Sequence, residues 1–249
     1  MKMSKAFVGL VSGLALLVLL VINAPARLLL SVLPQEQVIL QGVEGSLWQG
    51  KASRTLVAID GGWLQLGASQ WQLNPLSLLL FSPRIQLSSQ WGRQNLQARV
   101  KILSATDFEL GGLDLSIDAG LLRQFMPVGL VGELSAQFEQ LLIRQNMPVH
   151  ASGRIVWQGG GWISPQGRKS LGSYAVDIAT DPDGLITGQV ITLAGPLQAE
   201  GDLSLRQAQY AVDIHLHGPG LQDPQLSQAL QLVAAPTNGG FRAQLQGEL

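Results

Sequence analysis

Alternation of apolar and polar residues recurs along most of the chain and is the feature that most constrains its fold. The clearest run is RIQLSSQW (84–91), in which every second residue, beginning with Ile85, is apolar or small. The pattern recurs in NLQARVKIL (95–103), PLQAEGDLSL (196–205), QYAVDIHLH (209–217) and FRAQLQGEL (241–249). Because successive side chains of a β-strand point to opposite faces, each run predicts a strand with one apolar and one polar face.

Turn-forming sequences separate these runs, and helical signals are few. Glycine- and proline-rich turns occur at 61–62, 111–112, 159–161, 181–184, 195–196 and 238–239. Short helices are predicted in NPLSLLL (74–80), DAGLLRQFMP (118–127) and DPQLSQALQLV (223–233). Many closely spaced strands predict a mainly β chain with a long, curved antiparallel sheet. A sandwich, a barrel and an open trough are all ways to hide its apolar face, and the pattern does not choose among them.

The N-terminus has the pattern of a membrane anchor. Lys2 and Lys5 precede an apolar run at 6–22, which would be about 26 Å long as a helix, at the short end for a membrane span. The small residues of APA (24–26) also fit a signal-peptide cleavage site. We expect an uncleaved single-pass anchor, because the run is longer than the apolar region of most signal peptides.

This topology predicts two parts of the chain. Residues 1–33 would form the cytoplasmic N-terminus, the anchor and a juxtamembrane segment. Residues 34–249 would form an all-β domain in the periplasm of a Gram-negative cell, because the positive charges precede the apolar run. The expected localisation is therefore the cell inner membrane.

Composition excludes several classes of function. Charged residues make up 13% of the chain and the net charge is −1, so no basic surface is expected to bind nucleic acid. The chain has no cysteine, which excludes disulfides, thiolate metal sites and a cysteine nucleophile. Asp213, His215 and His217 share one strand face, but a solvated polar face explains them better than a metal site. We therefore expect no enzymatic activity, no metal and no cofactor.

The segment GSLWQGKAS (45–53) has the spacing of a phosphate-binding loop. Such a loop requires a hydroxyl residue directly after the lysine and a helix after that. Ala52 follows Lys51, and the next residues form a β-branched, strand-like run. The segment is therefore predicted to be a turn between strands, with Lys51 a solvated charge and no bound nucleotide. We expect Trp48 and Trp71 to be core or sheet-corner residues.

Four segments together resemble a known family. In chain order they are GVEGSLWQGKA (42–52), WQLNPLSLLL (71–80), GRIVWQGGGW (153–162) and LGSYAVDI (171–178). They resemble the N subunit of the type II secretion system, and the resemblance covers essentially the whole chain. The residues that carry it, as structural or interface positions, are Gly45, Leu47, Trp48, Gly50, Trp71, Pro75, Leu76, Gly153, Trp157, Gly172 and Tyr174.

The resemblance implies a function in protein secretion. It implies an accessory inner-membrane component that supports the apparatus exporting folded proteins across the outer membrane. The partners it implies are the inner-membrane clamp protein and the outer-membrane secretin, and it supplies no catalytic residue. An alternative from another class is a periplasmic trough that binds or carries lipid acyl chains, as in AsmA-like proteins.

Overall fold

The computed structural model describes residues 13, 19, 21–33, 36–59, 62–79, 81–124, 129–164 and 166–248. Its strands are β1 (Val38–Gly45), β2 (Gln49–Ile59), β3 (Gly62–Leu73), β4 (Arg84–Trp91), β5 (Gln94–Ile102), β6 (Phe108–Asp118), β7 (Leu130–Arg144), β8 (Met147–Ser164), β9 (Gly167–Thr180), β10 (Ile186–Ala194), β11 (Gln198–Arg206), β12 (Gln209–His217), β13 (Ala235–Thr237) and β14 (Gly240–Glu248).

All fourteen strands form one antiparallel sheet. The strands follow chain order from β1 to β12, and then β14 precedes the short β13 at the edge. The prediction of a long antiparallel sheet is confirmed. Within the described residues β1 and β13 are the two edges, so the sheet is open and not a closed barrel.

Two adjacent rows of residues cross the sheet through β1–β12 and β14. Residues within a row are direct partners on neighbouring strands, and the two rows lie on opposite faces because their members are consecutive in sequence. The apolar row, none of whose members is exposed, consists of Val43, Ala52, Ser69, Ser89, Leu96, Leu115, Ala136, Ile155, Val176, Val190, Gly201, Ile214 and Ala243. The polar row consists of Glu44, Lys51, Gln70, Ser88, Gln97, Asp114, Gln137, Arg154, Asp177, Gln189, Asp202, Asp213 and Gln244.

The polar row faces solvent. Eleven of its thirteen members are exposed, and the other two, Asp177 and Asp213, are half-buried. The contrast between the rows confirms the predicted alternation. It also shows that the apolar row stays on one face of the sheet and the polar row on the other along all of these strands. This holds although several strand pairs contain register shifts.

The helices whose bounds the structure describes are short; two precede β1 and the other four lie between strands. They are the α-helices Leu29–Val32, Pro75–Leu79 and Pro224–Leu230 and the 3₁₀ helices Ala26–Leu28, Ala119–Gln124 and Pro219–Gln222. Each of the three helical segments predicted from sequence contains one of them. The Asp223 carboxylate caps the last α-helix by accepting a hydrogen bond from the Gln225 amide at 3.0 Å.

The core is distributed along the sheet as separate clusters. One cluster joins Ala26, Ala52 and Trp71, with partly buried side chains from β1 and β4 around them. The other centres on Tyr174 and includes side chains from β8 to β12. Among the described residues no large side chain is fully buried. This follows from an architecture in which one sheet supplies nearly all of the structure.

The predicted anchor at 6–22 lies mostly outside the described residues. Within the part of the chain that the structure describes, no helix combines the length and apolar character needed to cross a membrane. The predicted division at 33/34 falls beside a segment that packs on the sheet, because Ala26 and Leu29 belong to the same cluster as Trp71.

Candidate functional site

The segment that resembles a phosphate-binding loop is the hairpin turn between β1 and β2. The turn closes where the Ser46 amide donates to the Gln49 carbonyl at 2.9 Å. Gly45 begins it with φ +93°, a conformation that a β-carbon disfavours. Lys51 lies in β2, and its Nζ is 3.1 Å from a carboxylate oxygen of Glu44 in β1. The prediction of a strand-connecting turn is confirmed.

Trp71 packs beneath this turn. It is 6% exposed, and its indole N–H donates to the Leu47 carbonyl at 3.2 Å. Gly50 is its direct partner on β2, and a β-carbon at Gly50 would lie 2.3 Å from Cζ2 of Trp71. Gly50 is therefore required for space, since the indole occupies the position that a larger residue would fill.

Trp48 holds the segment that precedes the sheet. Its indole N–H donates to the Val21 carbonyl at 2.8 Å, and the neighbouring Leu47 amide donates to the Ala24 carbonyl, also at 2.8 Å. Pro25 forms an isolated β-bridge with Ser46. The chain from Val21 to Pro25 is thus fixed to the hairpin turn through its backbone.

The same turn also fixes the end of β3. The Leu73 amide donates to the Trp48 carbonyl at 2.7 Å, and the helix that begins at Pro75 follows directly. Pro75 and Leu76 are both exposed, and the exposed fraction of Leu76 is 70%. The structure therefore brings seven of the predicted family-motif residues to one place. This sheet corner consists of Gly45, Leu47, Trp48, Gly50, Trp71, Pro75 and Leu76.

The other four predicted motif residues lie on β8 and β9. The rings of Trp157 and Tyr174 are tilted at 35° to each other with their centroids 5.7 Å apart. The Trp157 indole donates to the Val131 carbonyl at 3.1 Å, and the Tyr174 hydroxyl donates to the Leu197 carbonyl at 2.9 Å. Burial raises the pKa of Tyr174 to about 12.

Two glycines allow close packing on these strands, and only Gly172 borders the aromatic pair. Gly153 lies four residues before Trp157 on β8 and packs against β7, since a β-carbon there would lie 2.7 Å from the Phe138 ring and 2.3 Å from a backbone oxygen. A β-carbon at Gly172 would lie 2.5 Å from the Ala194 carbonyl oxygen. Four strands, β4–β7, separate this group from the sheet corner. The structure thus places the motif residues in two packing centres and does not bring them into one site.

Two bidentate ion pairs that the sequence analysis did not identify involve members of the polar row. Arg154 donates to both carboxylate oxygens of Asp177, with the Nη2–Oδ2 bond at 2.7 Å. Arg242 donates to Asp213 at 2.8 and 2.5 Å. The side-chain hydrogen bonds from Arg242 lower the pKa of Asp213 to about 2. Only strand register could have revealed these pairs, since their members are 23 and 29 residues apart.

The histidines of β12 lie close to this arrangement. His215 Nε2 is 3.8 Å from Asp213 Oδ1, while Arg242 already engages both oxygens of that carboxylate. The described residues contain no group of three or more His, Asp or Glu side chains arranged to hold a metal ion. The surface can form ion pairs and hydrogen bonds, which are the interactions of a polar binding face.

A comparison with protein families now identifies the chain's relatives. The family model described as type II secretion system (T2SS), protein N, matches residues 36–243. That range includes β1–β13 and the start of β14. The chain belongs to this family.

Curated relatives agree with the family match. The chain is 26% identical, over an alignment of 259 positions, to type II secretion system protein N of Aeromonas hydrophila, covering 98% of this chain and 99% of the relative. It is 28% identical over 212 aligned residues to the protein of that name in Vibrio cholerae serotype O1, covering 80% and 79%. No solved structure matches the chain significantly.

These matches confirm the family resemblance recognised in the sequence motifs. The family is one of secretion-system subunits and is not a known enzyme family. Neither the family match nor the relatives support the alternative of an AsmA-like lipid carrier.

Proposed function

We propose that the protein is an accessory subunit of the type II secretion apparatus that supports its assembly or function. The observation that carries this proposal is the family match over residues 36–243, which spans nearly the whole sheet. Residues 1–33 serve as cytoplasmic N-terminus, inner-membrane anchor and juxtamembrane segment. Residues 34–249 stand in the periplasm, because Lys2 and Lys5 precede the apolar run.

The partners we propose are other subunits of the apparatus, the inner-membrane clamp protein and the outer-membrane secretin. A wide row of exposed charged and amide side chains supports a protein-binding role, because such groups select a partner by charge and geometry. An accessory subunit needs no catalytic residue, and the two aromatic packing centres act in this proposal by holding the sheet in shape.

The sheet corner supports the anchored topology. Val21, at the end of the predicted span, accepts a hydrogen bond from Trp48, and Ala26 is 1% exposed beneath the sheet. Cleavage after Ala26 would sever a segment that the folded structure uses. A single continuous chain from anchor to sheet is therefore the form we propose to be active.

A secretion assay tests the proposed function. In a strain lacking this protein, we expect a folded substrate of the pathway to accumulate in the periplasm and the secreted fraction to fall. The wild-type chain should restore secretion, and Lys51→Ala, which changes one exposed residue, should restore it equally. A secreted fraction identical with and without the protein would contradict the proposal.

A fusion experiment tests the topology separately. A reporter active only in the periplasm, fused after Leu249, should be active. An inactive reporter would refute the proposed orientation, and a mature N-terminus at Arg27 would show that the anchor is cleaved.

A further inference from the structure

The short helix Pro75–Leu79 is inverted relative to an ordinary surface helix. Among its described side chains the buried one is polar, since Ser77 is only 4% exposed. The described leucines face outward instead, with Leu76 70% and Leu78 37% exposed. A helix on a protein surface in water normally buries its apolar side chains and exposes its polar ones.

The inverted arrangement is fixed by hydrogen bonds. The Ser77 hydroxyl donates to the Asn74 carbonyl at 2.5 Å and accepts from the Arg84 amide at 2.9 Å. The Ser82 amide donates to the Ser77 carbonyl at 3.1 Å. Ser77 thus joins both ends of the loop between β3 and β4. The outward direction of the leucines is therefore part of the folded structure.

Phe81 extends the same apolar surface. It is 92% exposed, and its φ of +50° places it in the left-handed region, which is uncommon for a bulky residue. A single exposed apolar residue needs no explanation, but neighbouring ones in a fixed loop indicate a binding surface. We name Leu76, Leu78 and Phe81 the apolar loop surface.

This surface lies beside the point where the N-terminal segment meets the sheet. Trp48 accepts a hydrogen bond from Leu73 through its carbonyl and donates one to Val21 through its indole. The loop begins just after Leu73, and the apolar run of the predicted anchor ends at Ile22. Val21 and Ile22 are themselves 47% and 58% exposed. One residue thus joins the apolar loop to the end of the apolar run.

Basic residues accompany both segments. Arg27 follows the apolar run, and Arg84 follows the loop; both are exposed. Apolar and aromatic side chains enter the boundary between headgroups and acyl chains, while neighbouring basic side chains favour anionic headgroups. The apolar loop surface is flanked by arginines and lies next to an apolar run long enough to span a membrane. This combination is typical of a surface that binds lipid.

We propose that the apolar loop surface inserts into the bilayer that holds the anchor. The first sheet corner would then rest on the periplasmic side of the inner membrane and fix the orientation of the sheet. This inference rests on the proposed anchored topology, and it adds a second point of membrane contact.

Site-specific fluorescence in the full chain tests the proposal. Because the chain has no cysteine, Leu78→Cys and Phe81→Cys each give one labelling site for an environment-sensitive dye. Leu193→Cys is the matched control, since Leu193 is a large apolar residue, 53% exposed, in β10, which five strands separate from β4. Each labelled chain is reconstituted in vesicles of phosphatidylethanolamine and phosphatidylglycerol, with and without lipids that carry a shallow quencher.

We expect blue-shifted emission and strong quenching at positions 78 and 81, and neither at position 193. Chains that float with the vesicles but show the same emission at all three positions would overturn the membrane contact while leaving the anchor intact. Chains that do not float would overturn both proposals. Protection of position 81 that requires another secretion subunit, without quenching by lipid, would assign the surface to a protein partner and also contradict the proposal.

Discussion

The indole N–H of Trp48 donates a hydrogen bond to the carbonyl oxygen of Val21, 2.8 Å away and 27 residues earlier in the chain. Through this bond the first hairpin turn of the sheet contacts the end of the predicted anchor. The neighbouring contact between Leu47 and Ala24 repeats the attachment with backbone atoms alone. In the topology proposed above, a segment held in this way transmits the position of the anchor to the sheet.

Trp48→Phe should weaken this attachment, because phenylalanine keeps an aromatic ring but has no N–H donor. Loss of one hydrogen bond typically costs about 0.5–1.5 kcal/mol. We expect faster trypsin cleavage after Arg27 in the full chain. Trp63→Phe is the control, since Trp63 lies in β3 and is 40% exposed. Equal cleavage rates for Trp48→Phe and wild type would show that the bond does not hold the segment.

Gly50→Ala should destabilise the sheet corner, because the new methyl group would enter the space of the Trp71 ring. Overpacking of this kind typically costs about 1–3 kcal/mol. Gly111→Ala is a matched strand control, since a β-carbon there would meet only the Glu139 carbonyl oxygen at 3.9 Å. Chemical denaturation should show a lower free energy of unfolding for Gly50→Ala alone.

Lys51→Ala tests the same turn from its exposed side. Lys51 and Glu44 have side chains 63% and 68% exposed, so their ion pair contributes little. The free energy of unfolding should change by no more than about 0.5 kcal/mol. Saturable nucleotide binding that Lys51→Ala abolishes would contradict the assignment of this segment as a structural turn.

The titration of Tyr174 reports on the second packing centre. Burial raises its pKa from 10.0 to about 12, so the folded state keeps the proton that the unfolded state loses. The resulting contribution to stability is complete below pH 10 and is lost as the pH rises towards about 12. Tyr174→Phe should remove the phenolate step at about pH 12 from the ultraviolet absorbance of the folded chain and leave the step of Tyr210, the other tyrosine. Persistence of the step at about pH 12 would assign it to another group.

The Asp213–Arg242 ion pair predicts a dependence on acid. Arg242 lowers the pKa of Asp213 from 3.8 to about 2, so its stabilising contribution is present above pH 3.8 and is lost as the pH falls towards about 2. Arg242→Gln should raise the pKa of Asp213, measured by carboxyl carbon NMR. An unchanged titration would show that the ion pair does not set this pKa.

Most strands were predictable because alternation is a local property with a period of two residues. The turns predicted at 111–112 and 159–161 were wrong, since these glycines lie inside β6 and β8. In β4, Ile85 and Leu87 indicated the inward face, and the structure places both there, partly buried. The turn at Gly45 was also predictable, because its sequence has turn residues and lacks a following helix. Register and sheet closure were not predictable, because they depend on pairings between strands, such as the exchange of β13 and β14 at the edge.

The candidate sites were predictable only in part, for the same reason. The motif residues between Gly45 and Leu76 are close in sequence, and the structure brings them together at the sheet corner. The attachment of Trp48 to Val21 is a long-range contact with no local pattern. The helix at Pro75 was predicted from its capping residues, but its outward-facing leucines follow from the burial of Ser77. Capping signals define where a helix begins and not which face it buries.

Crosslinking in living cells tests the central claim most directly. A photoreactive amino acid is placed at Gln70, Gln97 or Gln189, which are exposed members of the polar row on three separate strands. Ala136, on the apolar row, is the control position. If the protein is a subunit of the type II secretion apparatus, mass spectrometry should find adducts with another subunit of that apparatus from at least one polar-row position. Adducts that contain no secretion subunit from any position, in cells that actively secrete, would contradict the account.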